Sequence, residues 1–255
     1  MTVSKGQASP YTKLQDWYGS PLGRKVARIE AECVQTLLNQ IFGYYLVQIG
    51  QVDVFRDALA SSRIRHQVML SSDLSGRHEG LETVGQDTAL PFASDSIDAI
   101  LLPHTLDFTP SPRQVLGEVE RVLIPEGRVV IVGFNAMSAW GLRKLLSGTA
   151  ARMPWCGRFS TLSQVNDWLA VAGFTVEVHE YLVFCPPFQH RQVARWTPVE
   201  TLGRRFWPLL GGVYVVRAIK RVSTLTPLKT SWNPRPVLLP PTAIRPTTTR
   251  GTGHA

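Results

Sequence analysis

Three cysteines in 255 residues, Cys33, Cys156 and Cys185, are too few and too scattered for a disulfide framework, and none belongs to a metal-spaced pair. His66, His78, His104, His179 and His190 are equally dispersed, so no zinc or iron site is expected. No apolar run approaches the roughly 20 residues that a membrane-spanning helix needs, and residues 1–7 lack the basic start and apolar stretch of a secretory signal. No serine or cysteine triad stands out. These absences point to a soluble, cytoplasmic protein with reduced thiols. Acidic residues are missing from one region only: after Glu200 there are none, against nine basic residues from Arg204 to Arg250. The net charge of +8 therefore belongs to the end of the chain, and residues 1–200 are near neutral. A basic end can attract nucleic acid, but a solubilising tail is the favoured reading.

With 44% hydrophobic residues the chain can bury a full core. We expect one domain over residues 1–222, with a helical extension at about 10–43, and a Pro-rich, basic, flexible tail over 223–255. The tail's prolines remove backbone donors and its apolar residues show no period. In SPLGRKVARIEAECVQTLLNQIFG, Ser20 is a candidate cap and Pro21 suits the first turn. Val26, Ile29, Cys33, Leu37 and Ile41 mark an apolar face, and Gly43 marks the end.

Short apolar runs follow at 44–50, 66–72, 80–86, 96–103 and 124–134. The run SIDAILLP is continuous rather than alternating, as in a strand covered on both faces. Ser111, Pro112 and Gln114 predict a capping box ahead of the Val115, Leu116, Val119, Val122, Leu123 face. Another helix is expected to be capped near Ser160 and stopped by Gly173, with two late strands at 174–184 and 211–221. Strands alternating with helices and closed this way predict a three-layer, Rossmann-like α/β sandwich: a mostly parallel, seven-stranded sheet with an antiparallel closing strand.

LPFASDSIDAILLPHTLDF followed by RQVLGEVERVLIPEGRVVIVGFN resembles the central signature of class I S-adenosylmethionine-dependent methyltransferases, in particular the type 11 group. The match spans about residues 84–135, and a weaker similarity in element order runs from about 15 to 221. The resemblance implies that the acidic turn before Leu90 faces the cofactor, with Asp87 or Gln86 accepting from the adenine amino group. It places Ser72 and Asp73 near the ribose hydroxyls. In VQIGQVDVF, Gln48 stands where the family has an acid, Gly50 is kept, and Val52 replaces the second glycine; Asp53 is a substitute acid or a helix-dipole residue. Pro103 and His104 leave the fourth strand at the sheet's carboxyl edge, where such folds bind ligands, and His104 is the candidate base. Asp98 is read as a packing or turn residue.

The implied activity is methyl transfer from S-adenosylmethionine to an unidentified, small-molecule acceptor. The alternative is a non-catalytic methyltransferase-fold binding protein that has lost cofactor affinity. A nicotinamide dehydrogenase is weaker because IGQVDV lacks G-x-G-x-x-G. CPPF at 185–188 lacks the leading Asn or Asp, and the strand context, of amino-group methyltransferases; it reads as a stiff turn. Trp196 and Trp207 are read as packing residues.

Overall fold

The computed structural model describes residues 9–50, 52–71, 81–146, 152–187, 203, 205 and 207–221. Two helices, α1 (Pro10–Tyr18) and α2 (Pro21–Leu38), precede strand β1 (Tyr45–Ile49). A 3-10 turn (Asp53–Phe55) and α3 (Arg56–Ala60) lead to β2 (His66–Ser71), β3 (Leu81–Val84) and β4 (Ile97–Pro103). Then come α4 (Thr105–Phe108), α5 (Pro112–Val122), β5 (Leu123–Phe134), α6 (Ala139–Leu146), α7 (Leu162–Val171), β6 (Phe174–Leu182) and β7 (Val213–Lys220). The seven strands lie in the order β3-β2-β1-β4-β5-β7-β6. The pairs from β3 through to β5 are parallel, and β7 runs antiparallel to both β5 and β6.

The continuous apolar run of β4 is explained by its two neighbours. Ala99 and Leu101 face a core made with α1, α2, α3 and Trp140, while Ile100 and Leu102 face a second core made with α5 and α7. Because side chains alternate along a strand, burial of both faces requires apolar residues at every position. At the start of β4, Asp98 Oδ2 accepts the backbone N–H groups of Tyr44 and Tyr45 at 3.0 and 2.9 Å, tying the entry of β1 to its neighbour.

Helix ends show where local signals prevailed. Ser20 caps α2 by accepting from Gly23 N at 3.0 Å, and Pro21 occupies the first turn. The helix stops at Leu38 rather than at Gly43. Gly43 is needed for a different reason: a Cβ there would lie 2.4 Å from the Asp98 Cβ. The buried face of α2 is also rotated from the expected one, running through Leu22, Val26, Glu30, Val34 and Leu37, with Ile29 and Cys33 half-buried at its margin. Ser111 precedes α5 but its side chain makes no capping bond, so the expected box does not form; Gln114 N instead bonds the Ser111 carbonyl at 3.0 Å. The reciprocal box appears at α7, one residue past the expected cap, between Thr161 and Gln164. Among the described residues no helix is long and apolar enough to cross a membrane, and no cluster of metal-ligating side chains occurs.

The chain divides into units Met1–Val222 and Ser223–Ala255. The expected tail, Phe188 and Trp196 lie outside the described residues; Trp207 is exposed.

Candidate functional site

The strand order reverses between β1 and β4, and at such a point the loops leaving adjacent strands diverge and open a crevice at the carboxyl edge. A cleft of about 270 Å³ lies there. Ile49 and Gly50 from the end of β1 and Leu70 from β2 form part of its wall. Gly85, Gln86, Asp87 and Thr88 follow β3, Phe108 ends α4 with Thr109 and Pro110 after it, and Ser9 caps α1, which Pro10 and Tyr11 begin.

Gly50 has φ +106°, a conformation that side chains strongly disfavour, and a Cβ there would lie 2.6 Å from Tyr11 Cε1. The loop behind it is folded tightly. Val52 N bonds the Gly50 carbonyl at 3.1 Å, and the Gln48 amide donates to the Gly50 and Val52 carbonyls at 2.8 and 3.0 Å. Gln48 is thus buried and turned into its own loop, with its Oε1 buried and without a hydrogen-bond partner among the described residues, and Val52 is fully enclosed in the core. Asp53 sits beyond the cleft wall. Its N–H donates to Gln15 Oε1 at 3.2 Å, and its carboxylate is 3.6 Å from Arg56.

The structure therefore gathers Gly50, Gln86 and Asp87 around one cleft, and leaves the side chains of Gln48, Asp53, Pro103 and His104 off its lining. Ser72 and Asp73 lie outside the described residues.

His104 departs most from expectation. It is in the left-handed region (φ 56°) and fully buried, and its ring stacks on Phe134 at 4.1 Å. Nδ1 is 2.8 Å from Asp107 Oδ2 and Nε2 is 3.3 Å from Glu30 Oε1. The other Glu30 oxygen accepts from the Tyr18 hydroxyl at 2.6 Å, and Asp107 Oδ2 also accepts from Phe134 N at 3.0 Å. Burial alone would depress the imidazolium, but the Glu30 charge and the Asp107 bond outweigh it, pushing the pKa up to about 9. Burial pushes the Asp107 carboxyl up, against the opposing pull of His104. A histidine with both nitrogens held by carboxylates has no free nitrogen to accept a substrate proton, so the expected role as base is not met in this geometry.

This network fixes the wall of the cleft rather than its surface. Asp107 belongs to α4, whose Phe108 lines the cleft and packs edge-on against Tyr11 with ring centroids 6.2 Å apart. Thr105 of the same helix donates its hydroxyl to the Ile49 carbonyl at 2.6 Å. Tyr11, Tyr18, Glu30 and Thr105 were not singled out from the sequence. The one available signal was Glu30, a carboxylate in step with Leu22, Val26 and Val34 on the buried face of α2, where an acid needs a partner.

Residues 38–131 match the family described as a methyltransferase domain. The chain is 30% identical over 219 residues to an uncharacterized protein of Escherichia coli K12, YafS, covering 85% of this chain and 86% of that one. Among solved structures, a Thermotoga maritima S-adenosylmethionine-dependent methyltransferase, described as a possible histamine N-methyltransferase, superposes with a TM-score of 0.61 at 19% identity. The superposition covers 82% of this chain and 95% of that one. The [4+2]-cyclase SpnF superposes with a TM-score of 0.56 at 17% identity, covering 78% and 82%. These two show a shared fold, and a fold alone does not fix a reaction. Together with the family match and the relative that spans most of both chains, they show that this chain belongs to the methyltransferase-domain family and shares the Rossmann-like fold of S-adenosylmethionine-dependent methyltransferases.

Proposed function

We propose that the cleft binds S-adenosylmethionine and that the protein transfers its methyl group to a small-molecule acceptor in the cytoplasm. The observation carrying this reading is the convergence of Gly50, Gln86 and Asp87 on one cleft at the sheet's reversal point. The residues present fit the adenosyl part of such a ligand. Ile49 and Leu70 offer apolar contact, Gln86 and Asp87 carry acceptors for an exocyclic amine, and the absence of a Cβ at Gly50 lets the Tyr11 ring pack closely on the loop as part of the cleft wall. Gln48 is committed to its own loop, so the polar groups left in the lining for the rest of such a ligand are the hydroxyls of Ser9, Tyr11, Thr88 and Thr109.

When bound, the cofactor supplies a methyl group on a positively charged sulfur. The chain's own contribution is alignment: α1 and α4 form walls that hold reactants close and exclude water, which accounts for much of the acceleration of a bimolecular step. His104 acts here as a positioning residue that locks α4 to α2.

The second reading, a binding protein that has lost the cofactor, is favoured by one feature, the inward-turned Gln48. Isothermal titration of the full chain with S-adenosylmethionine and S-adenosylhomocysteine separates the two. Saturable binding that Asp87→Ala weakens by about tenfold, the worth of one charged hydrogen bond, supports the enzyme. Absence of heat with either ligand supports the scaffold.

A further inference from the structure

A second cleft, of about 440 Å³, adjoins the first. The two share Pro10, Phe108, Thr109 and Pro110, so they meet along these residues, and Lys13, Asp107, Cys156 and Arg158 line the rest of the second.

Its exposed charge has one sign. Lys13 on α1 and Arg158 on the loop before α7 are both exposed, and among the described residues neither side chain is engaged in an ion pair or hydrogen bond. The one carboxylate among the described residues of the lining, Asp107, is buried and directed to His104 and Phe134 N. Arg158 is held in place by its backbone, whose N–H donates to the Asp107 carbonyl at 2.6 Å. Lys144 stands behind the same wall, bonded to the Gly157 carbonyl and 4.7 Å above the Phe159 ring. The fields of Lys13 and Lys144 both reach the Cys156 thiol, where they oppose the effect of its partial desolvation. Unpaired Lys and Arg converging on a concave site are suited to a carboxylate or phosphate, and the volume suits a small molecule.

We propose that the second cleft receives the methyl acceptor, and that this acceptor carries a carboxylate or phosphate held by Lys13 and Arg158. The proposal rests on the cofactor reading of the first cleft. In the reaction, the acceptor's nucleophilic atom bonds the methyl carbon as that carbon's bond to sulfur breaks. The bonding pair stays on sulfur, which becomes neutral, and any proton on the acceptor leaves to water.

Cys156 reports on this cleft directly. On the full chain, its alkylation by anionic iodoacetate and neutral iodoacetamide is followed by peptide mass spectrometry, with the rate ratio normalised to that of glutathione. The expected result is an enrichment for iodoacetate of about tenfold, the scale of electrostatic focusing in a cleft. The ratio should fall toward the glutathione value in Lys13→Gln/Arg158→Gln, and acetate or inorganic phosphate should slow the reaction at constant ionic strength, the two anions distinguishing the preferred group. A normalised ratio at or below unity, or one unchanged in the variant, overturns the anionic cleft.

Titration with S-adenosylhomocysteine runs alongside, and checks that the variant remains folded. If the wild-type chain fails to bind it, the cofactor reading falls while the alkylation result still judges the second cleft. With cofactor bound, turnover is compared between carboxylate- and phosphate-bearing compounds and their amide or dephosphorylated counterparts. Turnover confined to the acids, with KM raised about tenfold and kcat little changed in the variant, supports the proposal. Turnover of neutral compounds alone, or of none of the acids, overturns it.

Discussion

His104 Nδ1 lies 2.8 Å from Asp107 Oδ2 inside the protein, with neither side chain exposed, and Glu30 closes the other side of the ring at 3.3 Å. One cation thus serves two buried carboxylates from different helices. Replacing His104 by Ala would leave both acids without their cation, and a broken buried pair costs about 3–5 kcal/mol. Urea unfolding at neutral pH is expected to show that loss.

The same network sets a pH dependence. The His104 pKa is about 9 in the folded protein against an ordinary value of 6.5. A raised folded pKa means that this group's stabilisation is fully present below about 6.5 and is lost as pH rises through about 9. The stability of wild type relative to Glu30→Gln should therefore narrow between these values. A difference that stayed constant from pH 6 to pH 10 would show that His104 is not protonated in the native state.

Asp98 supplies a contrast at the other end of the same strand. Its carboxylate holds the N–H groups of Tyr44 and Tyr45 at the start of β1, while the cleft lies at the strand's finish. Asp98→Ala is expected to lower stability by about 1–2 kcal/mol and to leave the affinity for S-adenosylhomocysteine unchanged. A loss of affinity comparable to that of Asp87→Ala, in a variant still folded by circular dichroism, would contradict this division of roles.

The contrast between Asp98 and His104 shows what the sequence could and could not disclose. The five apolar runs became strands β1 to β5 because burial on one or both faces leaves a mark at every position or every other one. Gln86 and Asp87 were pointed to by the resemblance of the stretch around Leu90 to the methyltransferase signature, and both line the cleft. Partnership across the fold leaves no such mark. Glu30 and Tyr18 meet His104 only because α1 and α2 pack over the end of β4, and Tyr11 reaches Gly50 through the same packing. Lys13 and Arg158 share a cleft although they come from an early helix and a late loop. A histidine at a strand's carboxyl end looks the same in sequence whether its ring faces a pocket or a pair of buried acids.

Gly50 can be tested through its neighbour. Its positive φ disfavours any side chain, and a Cβ would collide with the Tyr11 ring. Gly50→Ala should therefore cost the conformational strain, about 1 kcal/mol or more, plus a steric term that Tyr11→Ala removes. In a double-mutant cycle, adding Tyr11→Ala to Gly50→Ala should cost less than adding it to wild type. Strict additivity in thermal and urea unfolding would mean that the two residues are not in contact.

Restoring the family's acid at position 48 is expected to harm the protein rather than repair it. Gln48 is buried, and its amide donates to two carbonyl oxygens, those of Gly50 and Val52. A Glu at this place would present a carboxylate with no protons to those same oxygens. The Val52 carbonyl would lose its Gln48 donor, the Gly50 carbonyl would keep only Val52 N, and a charge would be buried without a partner, at a cost of about 2–4 kcal/mol. Protonation would return one donor, so Gln48→Glu should be least stable at neutral pH and recover part of the loss as the solution is acidified. The affinity for S-adenosylhomocysteine should not rise, because the side chain at this position faces its own loop. Tighter ligand binding by Gln48→Glu without loss of stability would show that the loop can turn the residue outward, and that Gln48 belongs to the cleft after all.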